Sequence, residues 1–487
     1  MSTPNPPARQ GAFLVRECLA GIITSLALVP EVISFSVVAG VDPKVSLVAS
    51  IVLGLVMSAL GGRPAMVTAA AGSVALVIGP MVRAHGAGYV LPAVLLAGGV
   101  QVAFGALGLA RIMRYIPRSV MIGFVNALGI LIFFAQVPHV AGQAPLVLGL
   151  FALTVAIVEL FPRLTTAVPS PLVAIVVVTA IVMGMGLHVP DVGNGHPMAP
   201  GLPGITPFIV PLNLETFQIV WPTALSVAFV GLLESLLTAK LVDDLTDSRS
   251  HKSRESWALG VANLCAGFVG GIAGCAMIGQ TVVNVKIGAA RSRVSTAVAA
   301  LVLLLLLVTA LSNIMAQIPM VALAAVMMIV ALRTMDWHSV MPATLKRMPL
   351  PETSVMLVTV VATVWTGNLA IGVLLGTVLA MLLFARRVAH VVEARRTLSA
   401  DGATVTYAVH GPLFFGSSND LFERFDYGSD PRNVVVDFSA SQIWDASTVA
   451  ALDAIETKYR QHGASVVFTG LDRRSQAFHG KLTGNLG

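Results

Sequence analysis

Charge is scarce in this chain. Only 11% of its 487 residues are Asp, Glu, Lys or Arg, against 56% apolar residues, and the mean hydropathy is +0.85. A soluble globular domain carries roughly a quarter charged residues, so this composition excludes one and places the chain in a bilayer. Cysteine is scarcer still. Cys18, Cys265 and Cys275 lie in apolar stretches without paired spacing, which excludes a disulfide framework and a thiolate metal site. No histidine cluster, P-loop or nucleophile elbow occurs, so neither ATP-driven transport nor covalent catalysis is expected, and no cofactor or metal is called for. Tandem repeats of about 20–50 residues and low-complexity segments are missing too. The 17 residues before the first apolar run are polar and Pro-rich, with Arg9 and Arg16, and no small-residue cleavage site follows. The first run is therefore expected to stay as an anchor. The formal charge of +6 sits between apolar runs, where orientation in the membrane accounts for it and no nucleic-acid partner is needed.

What the chain does have is a series of apolar runs long enough, at about 15 to 22 residues, to span a bilayer. They fall near 18–38, 44–60, 68–83, 88–110, 117–137, 145–160 and 170–187, and again near 221–241, 257–272, 277–288, 294–315, 319–334, 353–367 and 369–386. Two of them, 68–83 and 277–288, are short, follow the pairs Gly61-Gly62 and Gly270-Gly271, and hold the same ordinal place in each set. Short, Gly-interrupted segments in matching places of two halves point to broken helices at a binding site.

The basic residues test the count. With a cytoplasmic N-terminus, the inner loops collect Arg63, Arg111, Arg114, Arg118, Arg163, Lys240, Arg249, Lys252, Arg254, Lys286, Arg291, Arg293, Arg333, Lys346, Arg347, Arg386 and Arg387. The outer ones receive only Lys44 and Arg83. One helix too many or too few would flip every later loop and destroy this bias. Both ends of a membrane domain spanning 18–387 are thus expected in the cytoplasm, after an N-terminal segment 1–17. Seven is odd, so the second set enters from the opposite face and the repeat is inverted. Beyond it, 388–402 reads as a charged linker, and 403–487 alternates short β-like runs with amphipathic helices, as in a small α/β domain with a buried sheet.

Two acids lie inside apolar runs, Glu31 in ALVPEVISFSVVAG and Glu234 in FVGLLESLLTAK. An ionisable group at membrane depth costs several kcal/mol unless it faces a cavity or a partner, which makes such residues functional by default. Burial favours the neutral form of a carboxyl, so Glu31 can carry a proton alongside an anion. Its plainer role is to stabilise a kink after Pro30. Glu234 admits the same two readings and a third, ligation of Na⁺ with Thr238 one turn further on. The starts of the two short segments, Ala69–Ser73 (with Ala70, Ala71 and Gly72) and Gly279, Gln280 and Thr281, are expected helix N-termini that hold an anion with backbone amides. Their small residues could instead serve close helix packing. Asn126, Gln136 and Asn263 suit hydrogen bonds between helices, and residues 240–256 a solvated loop.

The residues VPEVISFSVVAGVDP (29–43), YIPRSVMIGFVNALGI (115–130), GLLESLLTA (231–239), GGIAGCAMIGQTVVNVKIGAARSR (270–293) and VVVDFSASQIWDAST (434–448) resemble the SulP family of anion transporters. This is the sulfate-permease or solute carrier 26 group that includes prestin, and the last segment resembles the core of its STAS domain. The resemblance spans nearly the whole chain. It implies a seven-plus-seven inverted repeat split into core and gate, a substrate between two half-helices, a homodimer, and an elevator movement of core against gate. Many members carry Arg or Ser beside Thr or Ser at the second half-helix. Here Gln280-Thr281 stands there, so a fixed positive charge is expected to be missing from the site. Ser447 occupies the place where STAS proteins that antagonise anti-sigma factors carry a phosphorylated serine. A helix N-cap is the plainer role.

The expectation is therefore a multi-pass inner-membrane protein that moves a small anion such as sulfate, bicarbonate or fumarate, with a lean to the carboxylates, by proton-coupled symport. Na⁺ coupling, exchange and an anion channel are the alternatives, and the lipid bilayer and a second copy of the chain are the expected partners.

Overall fold

The computed structural model describes residues 7–165, 168–195, 204–308, 315–389 and 391–484. Residues 1–6 of the expected N-terminal segment and 309–314 of the span expected near 294–315 lie outside them. The helices are α1 (Pro7–Ala39), α2 (Pro43–Leu60), α3 (Gly72–His85), α4 (Val90–Ala106), α5 (Arg118–Gln136), α6 (Pro145–Leu160) and α7 (Ser170–Gly184). The second half supplies α8 (Leu214–Thr246), α9 (Lys252–Phe268), α10 (Ile278–Val282), α11 (Arg293–Val308), α12 (Met320–Thr334), α13 (Leu350–Thr366) and α14 (Leu369–Ala389). Two three-residue strands accompany them, β1 (Thr68–Ala70) before α3 and β2 (Gly274–Ala276) before α10.

Helix α1 runs for 33 residues and begins at Pro7, so the expected N-terminal segment is in part a helical extension of the first span. At 1.5 Å per residue it is about 50 Å long, more than a bilayer core requires. Helix α8 likewise has 33 residues and reaches Thr246, so the loop expected over 240–256 shrinks to a short turn. The reason is local. Arg63 reaches across to pair with Asp243 at 3.0 Å and donates to Val242 O, which holds the end of α8 in place. Helix starts follow capping chemistry: Asp42 accepts from Lys44 N ahead of Pro43, and Asn213 accepts from Thr216 N.

The helices of the membrane domain pack as two groups. In one, α4 lies on α9 and α8, α11 on α1 and α2, and α3 on α1 and α8. In the other, α5 lies on α13 and α12, and α12 on α6 and α7. Between the groups the contacts are α1 with α7 and α12, and α3 with α5. Small residues let backbones close in where lipid gives no hydrophobic drive. A Cβ on Gly260 would sit 2.5 Å from Val102 N, and one on Gly123 would sit 2.9 Å from Met356 O.

Strands β1 and β2 pair antiparallel with the register Thr68↔Ala276, Ala69↔Cys275 and Ala70↔Gly274. Helices α3 and α10 therefore leave from opposite ends of one ribbon, the local signature of two inverted halves. Gly274 must be glycine, because a Cβ there would lie 2.4 Å from Ala69 O.

The C-terminal unit is a four-stranded sheet in the order β3 (Glu393–Leu398), β4 (Thr404–Leu413), β5 (Asn433–Ile443), β6 (Ser465–Thr469). Strand β3 is antiparallel to β4, and the rest pair in parallel. The segment 388–402, expected as a linker, thus supplies an edge strand. Its charged sequence EARRTL hid this, and a charged, exposed strand suits a sheet edge. Helices α15 (Ser418–Glu423), α16 (Ala446–Gln461) and α17 (Arg473–Leu482) accompany the strands. Val405, Tyr407, Val409, Val434, Val436 and Phe438 alternate inward to meet Leu452, Ile455 and Tyr459 of α16. The phenols of Tyr407 and Tyr459 both donate to Asp430, at 2.7 and 2.5 Å, and Arg396 pairs with the same carboxylate at 2.9 Å. Burial pushes the Tyr459 phenol up, so it remains a donor.

Candidate functional site

Pro30 interrupts α1 one residue before Glu31. Proline offers no N–H and crowds the preceding turn, so the ladder weakens where the acid is set. The Glu31 side chain lines a cavity of about 540 Å³ and is partly exposed to it. The Gln280 side chain, on the first turns of α10, hydrogen-bonds to its carboxylate. Gly279 opens on the same space, where an added Cβ would meet nothing within 4 Å. Helices α1 and α10 from one group and α5, α7 and α12 from the other enclose this cavity, so it lies on the seam between them. Its wall is largely apolar, through Ile23, Ala27, Val125, Val326 and Val330, with Thr165, Ser170, Arg333 and Thr334 completing its polar share.

Glu234 is placed differently. It is 6% exposed and faces the ribbon, where the Ser73 hydroxyl and the Cys275 thiol, the latter at 3.1 Å, both donate to Oε2. Thr238 donates to Glu234 O at 2.8 Å and lies 3.3 Å from Ala276 O, so its hydroxyl is turned to the backbone and not to the carboxylate. Ser235 accepts from Ala276 N, and Asn263 brackets Gly274 through its N–H and its carbonyl while also donating to Gln101 at 2.8 Å. The polar residues of α8 and α9 are thus the splint of β2. Asn263 keeps its expected role between helices, and Asn126 does so with Ser339 at 3.0 Å.

The starts of both short segments, with Ala71, Gly72, Gly279 and Gln280, were expected to hold the anion, and both acids to be functional. Only part of that set comes together. Glu31, Gly279 and Gln280 share the cavity, whereas Ala70, Ala71, Gly72 and Ser73 are buried at the start of α3. The Phe35 ring covers that start, 2.4 Å from where a Gly72 Cβ would be. Thr281 is buried too, and accepts from Val67 N at 3.0 Å, which ties α10 to the approach of β1. Helix α10 has five regular residues before the backbone widens into a π turn over Val283–Ile287, so its dipole alone is a weak attractor for an anion. The side chain of Gln280 therefore carries more of the polar character than expected.

One residue escaped sequence reasoning. Arg333, counted there only as a basic loop residue, lines the cavity from the last turn of α12. The expectation of a site without fixed positive charge is corrected by it, although the charge comes from a helix of the other group and not from α10. Its spacing from Val326 and Val330, i+7 and i+3, was the available signal. Ser447 lies exposed on the first turn of α16, while Asp445 caps that helix by accepting from Thr448 N at 3.1 Å.

A multi-helix membrane domain with an apolar-walled pocket that carries a few polar side chains, on the seam of two helix groups, has the build of a transporter. The chain belongs to the sulfate permease family, whose model matches residues 14–147 and 144–359, and a STAS domain model matches 395–477. A putative sulfate transporter, YbaR of Bacillus subtilis, is 44% identical over 95% of both chains. A bicarbonate transporter, BicA of Picosynechococcus, is 27% identical over 66% of this chain and 62% of its own. Among solved structures, murine Solute Carrier 26 family member A9 in its inward-facing state matches with a TM-score of 0.83 at 16% identity, over 99% of this chain and 92% of that one. The transmembrane domain of a cyanobacterial BicA matches at 0.66 and 23% identity, over 73% and 97%.

Proposed function

We propose that this transporter carries a small anion together with a proton. Glu31 would be the proton carrier, and the helices α1–α4 and α8–α11 would move as a body against α5–α7 and α12–α14. The observation that carries this reading is that Glu31, alone of the two intramembrane acids, opens on the cavity that holds Gln280 and the open start of α10. An anion entering that space meets a carboxylate, and protonation removes the repulsion. Sulfate and bicarbonate enter as substrates through the names of the relatives. The apolar wall and the neutral Gln280 lean the choice to carboxylates, because a carbon skeleton gains from apolar burial where sulfate does not.

Na⁺ coupling at Glu234 is the weaker reading, since Thr238 spends its hydroxyl on Glu234 O. A second cleft of about 300 Å³ lies on the same seam, between the end of α3, Pro222 of α8 and the turn at Gly367. Clefts at both ends of one seam support movement along it. The charge bias of the loops supports cytoplasmic termini in an inner membrane, and the family fold supports a homodimer.

Glu31→Gln mimics the protonated acid and cannot cycle. In proteoliposomes loaded with sulfate, bicarbonate or fumarate under an imposed pH gradient, this variant is expected to fold normally and to lose gradient-driven accumulation. Undiminished accumulation would remove Glu31 from the mechanism, and accumulation that follows Na⁺ instead would move the coupling to Glu234.

A further inference from the structure

The mouth of the cavity holds an ion pair with an unusual division of labour. Arg333 Nη2 lies 2.7 Å from Glu159 Oε1, at the end of α6, with the two side chains 53% and 54% exposed. A solvated pair of this kind adds little to stability, so opening it costs little. The backbone beneath Arg333 is fixed much more firmly. Asn126, next to the cavity-lining Val125, accepts from Asp336 N at 2.7 Å and donates to Ser339, and Trp337 Nε1 donates to Leu332 O at 2.6 Å. The stem of Arg333 is therefore held at the cavity while its guanidinium can change partner. At the mouth of an apolar-walled cleft such a charge concentrates anions and turns cations away, and a bidentate fork suits carboxylate and sulfate alike.

We propose that Arg333 is the anion-capturing residue of the entry route and that Glu159 is the internal carboxylate that competes with substrate for it. This rests on the cavity being the substrate route but not on Glu31 as proton carrier. Counterflow uptake in proteoliposomes needs no proton gradient, so it reads anion capture alone. It is to be run with sulfate, bicarbonate and fumarate, and the variants compared on the anion with the highest wild-type rate. Arg333→Gln should raise KM about tenfold, leave kcat nearly unchanged and flatten the dependence on ionic strength, while Arg333→Lys recovers part of the loss. Glu159→Gln should lower KM several-fold, since the rival is gone. The opposite signs are decisive. If the pair merely braces α6 against α12, both variants would shift KM and melting temperature in the same direction, and the proposal would fail. Should Arg333→Gln not fold, Glu159→Gln alone still decides, because an unchanged or raised KM overturns the proposal. Absence of pH-driven accumulation by the wild-type protein, with these KM shifts between variants intact, would strike the Glu31 reading only.

Discussion

At the level of single residues, two glycines of the expected site have opposite surroundings and so make opposite predictions. Gly279 faces open space, and Gly72 lies under the Phe35 ring. Gly279→Val should therefore leave the melting temperature nearly unchanged while blocking anion uptake, because the side chain is added on the cavity side, where a Cβ meets nothing within 4 Å. Gly72→Ala forces Phe35 to shift, an overpacking cost of about 1–3 kcal/mol. Its thermal melt in detergent should fall before any effect on substrate affinity is seen. A Gly279→Val protein with wild-type uptake would place the substrate elsewhere. The same contrast explains why the sequence overstated the symmetry of the site. The acid, the glycine pair and the short helix recur in both halves, but which copy faces a cavity depends on what lies above it.

Among the elements, two buried carboxylates join the halves at one edge of the first helix group. Glu255 on α9 accepts from Gly62 N and Arg63 N at 2.6 and 3.0 Å, beyond the end of α2. Glu17 on α1 accepts from Arg291 N at 2.6 Å and from the Ser292 hydroxyl at 2.8 Å, ahead of α11. Each acid belongs to one half and grips the turn of the other. Arg293 adds a bond to Ala59 O at 2.6 Å. Such clasps are what lets a helix group move as one body. Glu255→Ala would leave two buried amides without acceptors, at about 1–3 kcal/mol each. Its expected signature is a lower melting temperature with an unchanged KM. A lowered KM or a changed substrate preference, with no loss of stability, would show that Glu255 acts on substrate instead.

For the whole molecule, every residue assigned to the cavity and its coupling precedes α13, and the C-terminal sheet has its own core. Removal of residues 390–487 should therefore leave a membrane domain that binds the same anions with affinity within about threefold of the full chain, a difference below 1 kcal/mol. Binding is measured by anion-induced thermal stabilisation. A well-folded truncation with no anion-induced shift would mean that the C-terminal unit completes the site.

Membrane residence, the helices labelled α1 to α14 among the described residues and the C-terminal α/β unit were legible in the chain itself. Each rests on local quantities, namely hydropathy over a span, the alternation of basic loops, and the two-residue period of VTYAV and VVVDF. Strand β3 was not, because four charged or polar residues among six at an edge look like a linker until a neighbour pairs with them. The sequence also marked Glu31 and Glu234 as exceptional, since an acid in an apolar run is costly wherever it lands. Only the tertiary structure separated them, sealing Glu234 behind Ser73 and Cys275 and leaving Glu31 on the cavity. It also brought Arg333 from α12 to a space shared with α1 and α10. Periodicity tells which face of a helix is buried, but not which partner buries it. The seam between two helix groups is made of residues some three hundred positions apart, and no pattern within either stretch records the meeting.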